Sequence, residues 1–342
     1  MMTFLSKLSF VDVYYGYSLA MAMIMSVCII ASFAIVYKLI DTKYTNKKIS
    51  VIAGTLATLA VTFAGNFHYF VYYKIVPTLW DMMGVTGDKP SYWFPESTRY
   101  IGHNPAVSND MTIEEFPIYS FLIGDLHAHV IDIISVLLCV AVIVTYSLNV
   151  IRINKEDKAD KENKLLAKMF DPNIILLGFI ISIMSMTNYW DCLIYFVVAG
   201  AVILISNLLI FEGKFRAVAL TLLQGAIVFI ISKIVSLPFM LSFEKMINGI
   251  GVVSIRSKFY QLAILWGVPI TTVILFAAFL YVGYIEFGRN AVNNCEMAPN
   301  DESDIVIVTN KESNCMIRIL NYFSSDRFND AIVLIFGFCF AD

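Results

Sequence analysis

Long apolar runs separated by shorter polar stretches make up most of this chain. The runs cover Tyr17 to Ile40, Val51 to Val76, Val130 to Ile151, Asn173 to Thr187, Cys192 to Phe211, Ala217 to Leu237 and Phe259 to Glu286. An eighth begins near Ala331 and breaks off at Asp342. A helix needs about 20 apolar residues to cross a hydrocarbon core of about 30 Å. In lipid only helices and closed barrels satisfy their own backbone groups, and the runs are longer than the alternating strands, about 10 residues each, of a barrel. The pattern predicts an all-α, polytopic bundle of seven to eight spans forming one integral membrane domain over residues 1–342. Both ends are expected to be cut from a longer protein.

Composition agrees with that pattern. The chain has 342 residues, 58% hydrophobic and 15% charged, with a mean hydropathy of +0.73, whereas soluble domains carry about 25% charged residues. The net charge of −3, with no basic patch interleaved with aromatics, argues against nucleic acid as a partner. Membrane lipids and lipid-borne molecules are the expected partners. The six cysteines are scattered without paired spacing, so no zinc knuckle or disulfide framework is indicated.

Cytoplasmic loops are enriched in Lys and Arg. With the N-terminus outside, 16 of the 24 basic residues fall on the cytoplasmic side. That side then holds a charged connector over 152–172 and a polar loop over 287–328. A long extracytoplasmic loop, 77–129, carries most of the motifs. The 34 residues from 118 to 151 exceed one span, so residues 117–129 are expected to form a short separate segment before the spanning helix. The predicted location is the cell membrane, multi-pass, N-terminus outside.

This orientation places every polar motif on one face, and all four histidines lie between positions 68 and 129. Ionisable groups at membrane depth cost about 2.5–3.5 kcal/mol each on insertion scales, which marks them as functional candidates. The most specific motif is Gly124-Asp125-Leu126-His127-Ala128-His129. Asp125, His127 and His129 can supply ligands for a divalent metal, Mg or Mn. The same residues can instead form a carboxylate base oriented by imidazoles, or Asp125 can cap a helix N-terminus. Glu114 and Glu115 are adjacent carboxylates, able to drive their pKa values apart as acid and base. Arg99 offers a planar fork for phosphate, or a salt bridge to Glu96. His103, Asn188, Trp190, Asp191 and Arg256 complete the polar groups of this face, with Tyr14 and Tyr15 at the head of the first span.

The order of Val13-Tyr14-Tyr15-Gly16, Gly65-Asn66, Ser97-Thr98-Arg99, Glu115-Phe116-Pro117, Gly124 to His129, Asn188-Tyr189-Trp190-Asp191 and Leu237-Pro238-Phe239 resembles the YYY membrane protein family. This is an archaeal and Chloroflexi group of large polytopic proteins, and the resemblance spans residues 10 to 270. The tyrosine run has two members before Gly16, where the family name advertises three. The group is distantly similar to the GT-C membrane glycosyltransferases, which move a sugar from a polyprenyl-phosphate donor at the extracytoplasmic side.

The resemblance implies a GT-C-like core with a lipid-linked sugar donor. Asp125, Glu115 or Glu114 would then act as base or metal ligand, with His127 and His129 as metal ligands or phosphate donors. Arg99, His103, Tyr14, Tyr15, Asn188, Trp190, Asp191 and Arg256 would bind substrate. A transporter or lipid-handling protein, or a non-catalytic membrane subunit, are the alternative readings. The runs carry few charges, Lys233 being the main exception.

Overall fold

The computed structural model describes residues 2–42, 46–87, 93–104, 112–154, 170–211, 214–243, 256–275 and 277–278. Among these, regular structure is helical throughout. The helices are α1 (Met2–Ser9), α2 (Val13–Asp41), α3 (Lys47–Thr58), α4 (His68–Phe70), α5 (Val76–Met83) and α6 (Pro117–Ile123). They continue as α7 (Ala128–Asn154), α8 (Pro172–Thr187), α9 (Tyr189–Ile210), α10 (Lys214–Ser242) and α11 (Phe259–Leu265). Four helices are long and apolar enough to cross a membrane: α2, α7 over Ala128–Val150, α9 over Tyr189–Leu209, and α10. A bent pair, Lys47–Phe63 with His68–Met83, brings the number to five if it is one span.

The described residues thus hold four to five spans where seven to eight were expected. The run Asn173 to Thr187 becomes α8, a 16-residue helix, shorter than the roughly 20 residues a span needs. The end of the seventh run beyond position 278 and the whole of the eighth lie outside the described residues, as do most of the connector over 152–172 and the whole loop over 287–328.

The chain divides into two compact units. The first comprises residues 1–31 and 117–254, and its centre is α8, packed against α7, α9 and α10. Asp171 starts α8 by accepting the Asn173 N–H at 2.8 Å, with Pro172 in the first turn, a favoured arrangement at a helix start. Ile174, Leu177, Ile181 and Met184 of α8 are buried with Ile143 and Tyr146 of α7, Ile203 of α9 and Val228 of α10. At Gly178 a Cβ would come within 2.7 Å of Ile231 Cβ, so the missing side chain lets α8 and α10 approach closely, as small residues do between membrane helices. A buried polar cluster crosses the same bundle. The Tyr146 hydroxyl donates to Asn207 Oδ1 at 3.1 Å, Asn207 Nδ2 donates to Gln224 Oε1 at 2.9 Å, and Gln224 Nε2 donates to the Tyr146 oxygen at 3.1 Å. A closed ring of hydrogen bonds satisfies groups that lipid cannot.

The second unit comprises residues 32–116 and 255–342. The run Val51 to Val76 predicts one straight helix, but the chain turns by 81° between Lys47–Phe63 and His68–Met83. Wider π turns at Leu59–Phe63 and Val71–Ile75 flank the break. Asn66 explains how the break is tolerated. Its Oδ1 accepts the His68 N–H at 3.1 Å and its Nδ2 donates to the Ser97 carbonyl at 2.6 Å, replacing partners lost to the helix. The Phe67 N–H donates to the Ile264 carbonyl of α11 at 3.0 Å. Tyr100, Ile101, Ile264 and Leu265 form the core of this region, with Val71 and Tyr72 packed against it.

Candidate functional site

As the length of 118–151 predicts, α6 and α7 are separate helices, with Asp125 and His127 in the turn between them and His129 in the first turn of α7. Gly124 closes α6 with φ +72°, a conformation glycine adopts without steric cost. The Asp125 N–H returns to the Ser120 carbonyl at 3.0 Å. Phe121 and Leu126 pack against Met21, Ile24 and Val130, which anchors the turn to α2.

Within the turn, Asp125 Oδ2 lies 3.1 Å from His127 Nδ1, with the two side chains 35% and 56% exposed. The rings of His127 and His129 are 5.7 Å apart, and a nitrogen of one comes within 4.8 Å of a nitrogen of the other. His129 Nε2 is 3.4 Å from Ser120 Oγ. The cap reading of Asp125 does not hold. Helix α7 opens at Ala128, and the His127 backbone carbonyl accepts the N–H groups of Val130 and Ile131 at 3.1 and 3.2 Å. Asp125 lies upstream with its carboxylate on an imidazole, an arrangement that orients the ring. The two imidazoles can also supply nitrogen donors to a divalent transition metal.

A residue outside the polar motifs holds this turn. The Tyr17 hydroxyl donates to the Gly124 carbonyl at 2.9 Å and accepts the Leu126 N–H at 2.8 Å. Its signal lay in the tyrosine run, one position past Gly16. Tyr17→Phe removes both bonds, each worth about 0.5–1.5 kcal/mol. Exchange of the Leu126 amide, read by hydrogen-exchange mass spectrometry, is expected to rise about tenfold.

The other candidates fall into smaller groups. In the first unit, Asn188 Nδ2 donates to Asp191 Oδ2 at 2.7 Å at the start of α9, and Trp190 beside them is exposed. Tyr14 and Tyr15 are exposed and meet edge to face at 5.5 Å. Arg99, His103, Glu114, Glu115 and Arg256 belong to the second unit, with Arg99, His103 and Arg256 exposed. The Arg99–Glu96 salt bridge does not form. Glu96 instead accepts a hydrogen bond from the Tyr73 hydroxyl.

Glu114 is half-buried, and its backbone N–H donates to the Thr98 carbonyl at 2.8 Å. Burial holds its carboxyl above the usual carboxylate range. The folded state therefore favours the protonated form, a contribution present at acid pH and lost as pH rises through the raised value. Thermal unfolding across pH is expected to show Glu114→Gln more stable than wild type at about pH 8 and equal to it at about pH 4.

Two buried groups were also overlooked. Asp132 on α7 is fully buried, and His68 is nearly so, with its Nδ1 lacking a hydrogen-bond partner. The His68 ring sits 4.9 Å from Tyr72 and 5.1 Å from Tyr100.

The family model described as an uncharacterized membrane protein, DUF2298, matches residues 1–320. The chain belongs to that family. No curated protein and no solved structure matches it. Family membership and the apolar helices together make this a multi-pass membrane protein. Of the DUF2298 chain's candidate residues, Asp125, His127 and His129 form the most closely knit chemical group at the end of a span.

Proposed function

We propose that the protein is the core of a GT-C-like membrane glycosyltransferase that takes a sugar from a polyprenyl-phosphate donor at the extracytoplasmic face. The observation that carries this reading is the Asp125–His127 pair, with His129 beside it, at the mouth of an apolar helix. Asp125 removes the proton from an acceptor hydroxyl as that oxygen bonds to the anomeric carbon. The bond from that carbon to the phosphate oxygen breaks, and polyprenyl phosphate leaves. The imidazoles of His127, whose Nδ1 lies 3.1 Å from Asp125 Oδ2, and of His129 donate to the developing phosphate charge. A divalent metal bound by these imidazoles would supply the same neutralisation. Tyr14, Tyr15 and Trp190, exposed near span ends, suit contact with the lipid and sugar. Arg99, His103, Arg256, Glu114 and Glu115 are the further substrate and acid–base candidates.

The test is incubation of the purified protein in nanodiscs with a polyprenyl-phosphate hexose, with release of polyprenyl phosphate as the readout. Metal content then separates the two histidine roles. Loss of bound Mn in His127→Ala/His129→Ala supports ligation, whereas unchanged metal with weakened donor binding supports direct phosphate contact.

A second reading, a transporter, is favoured by one specific observation, the 81° break flanked by π turns. Broken helices line substrate sites in transporters, and π turns concentrate at functional positions. Movement of an intact lipid-linked sugar across proteoliposomes, without release of polyprenyl phosphate, would select it.

A further inference from the structure

Asp132 lies on α7 in the first unit and has 0% of its surface exposed. One carboxylate oxygen, Oδ1, accepts the Thr187 hydroxyl at the end of α8. The other, Oδ2, is buried and has no hydrogen-bond partner. Asp191, in the first turn of α9, lies within interaction range of this carboxylate, as does Ser135 one turn along α7. Asp191 is itself oriented by Asn188 Nδ2 at 2.7 Å. Among the described residues no Lys or Arg forms an ion pair with either acid. The Lys233 ammonium, on α10, lies 5.4 Å over the Phe229 ring.

Two ionised carboxylates offer each other only acceptors, so neither satisfies its neighbour unless a proton or a metal cation lies between them. Leaving a fully buried carboxylate oxygen unpaired, next to a second negative charge and beside lipid, is among the costliest arrangements a membrane helix can contain. A positive charge shared by the two acids removes that cost. The oxygen donors at hand are the two carboxylates and the hydroxyls of Thr187 and Ser135, with the thiols of Cys139 and Cys192 within electrostatic reach of Asp132. Hard cations take this donor set, and two carboxylates match a divalent charge. The histidine-containing turn, in contrast, offers nitrogen.

We propose that Asp132 and Asp191, supported by Thr187 and Asn188, form a buried binding site for one small hard metal cation between α7, α8 and α9. The site is distinct from the Asp125-His127-His129 turn and does not depend on the glycosyltransferase reading. Its cation ties three helices together at one end of the bundle. Thr187 closes α8, Asn188 links it to α9, and Asp132 fastens α7 to both.

The experiment uses the whole chain in detergent or nanodiscs, stripped of metal and titrated with CaCl2, MgCl2, MnCl2 or NaCl. Choline chloride at equal ionic strength is the control. Thermal unfolding is the readout. At a hundredfold excess over Kd, binding to the native state alone is expected to raise Tm by about 3–4 °C. The rise should persist in His127→Ala/His129→Ala and vanish in Asp191→Asn, a half-buried position that leaves the bundle core intact. Asp132→Asn should also abolish it. A rise that disappears with the histidines and survives Asp191→Asn would overturn the proposal. So would the absence of any cation effect above choline, in which case a shared proton is what neutralises the pair, and Asp132→Asn would melt above wild type.

Discussion

Asp125→Asn is expected to lower sugar transfer by about a thousandfold, the middle of the range for a positioned general base, while moving Tm by no more than about 1 °C. The substitution keeps size and shape and removes only charge and basicity. Little stability is at stake because the Asp125–His127 pair is partly open to solvent, and exposed ion pairs contribute about 0–1 kcal/mol. Asn is an equal helix cap, but α7 begins three residues later and the N–H groups of Val130 and Ile131 in its first turn go to the His127 carbonyl. A loss of activity would therefore not reflect a weakened helix start. Turnover of polyprenyl-phosphate hexose beside a melting curve checks both halves. Wild-type turnover in the variant would remove Asp125 from the chemistry.

The largest effect on stability is expected at Asn207. Asn207→Leu deletes the acceptor for the Tyr146 hydroxyl and the donor for Gln224 Oε1 and Thr221 Oγ1. Asn207, Gln224 and Tyr146 are buried, so the orphaned groups have no water to turn to. Interhelical hydrogen bonds in membranes are individually worth at most about 1.7 kcal/mol. Breaking several at once is expected to cost about 2–3 kcal/mol, read as a fall in Tm of about 3–4 °C. Tyr146→Phe should cost less, because Asn207 and Gln224 keep their mutual bond. If Asn207→Leu melts with wild type, the polar ring contributes nothing to the bundle.

Hydropathy makes α2, α7, α9 and α10 legible because each contains a continuous apolar run longer than the bilayer requires. It misreads Val51 to Val76 because the break there is made by side-chain hydrogen bonds of Asn66, and a hydropathy pattern carries no such geometry. Likewise α8 ends at Thr187 because Asn188 leaves the helical conformation, a local event within an otherwise apolar region. The Gly124-to-His129 motif was visible from spacing alone, and the break between α6 and α7 followed from counting residues. Tyr17 was not visible as a partner of that turn, because its contacts span more than a hundred positions. Asp132 was hidden for a different reason. A single carboxylate barely lowers the hydropathy of the run from Val130, and only its burial and its unpaired oxygen make it conspicuous.

The central claim is that the turn at Asp125, His127 and His129 faces the outside and receives a lipid-linked sugar. Ala128, the first residue of α7, is exposed between His127 and His129, so a chain with its six native cysteines changed to alanine and carrying Ala128→Cys reports on it directly. The measurement is the rate of modification by a membrane-impermeant maleimide on intact cells, with and without added polyprenyl-phosphate hexose. Labelling from outside that slows several-fold when the donor is present is the expected result. Labelling only after the cells are opened, or at a rate the donor does not change, would contradict it.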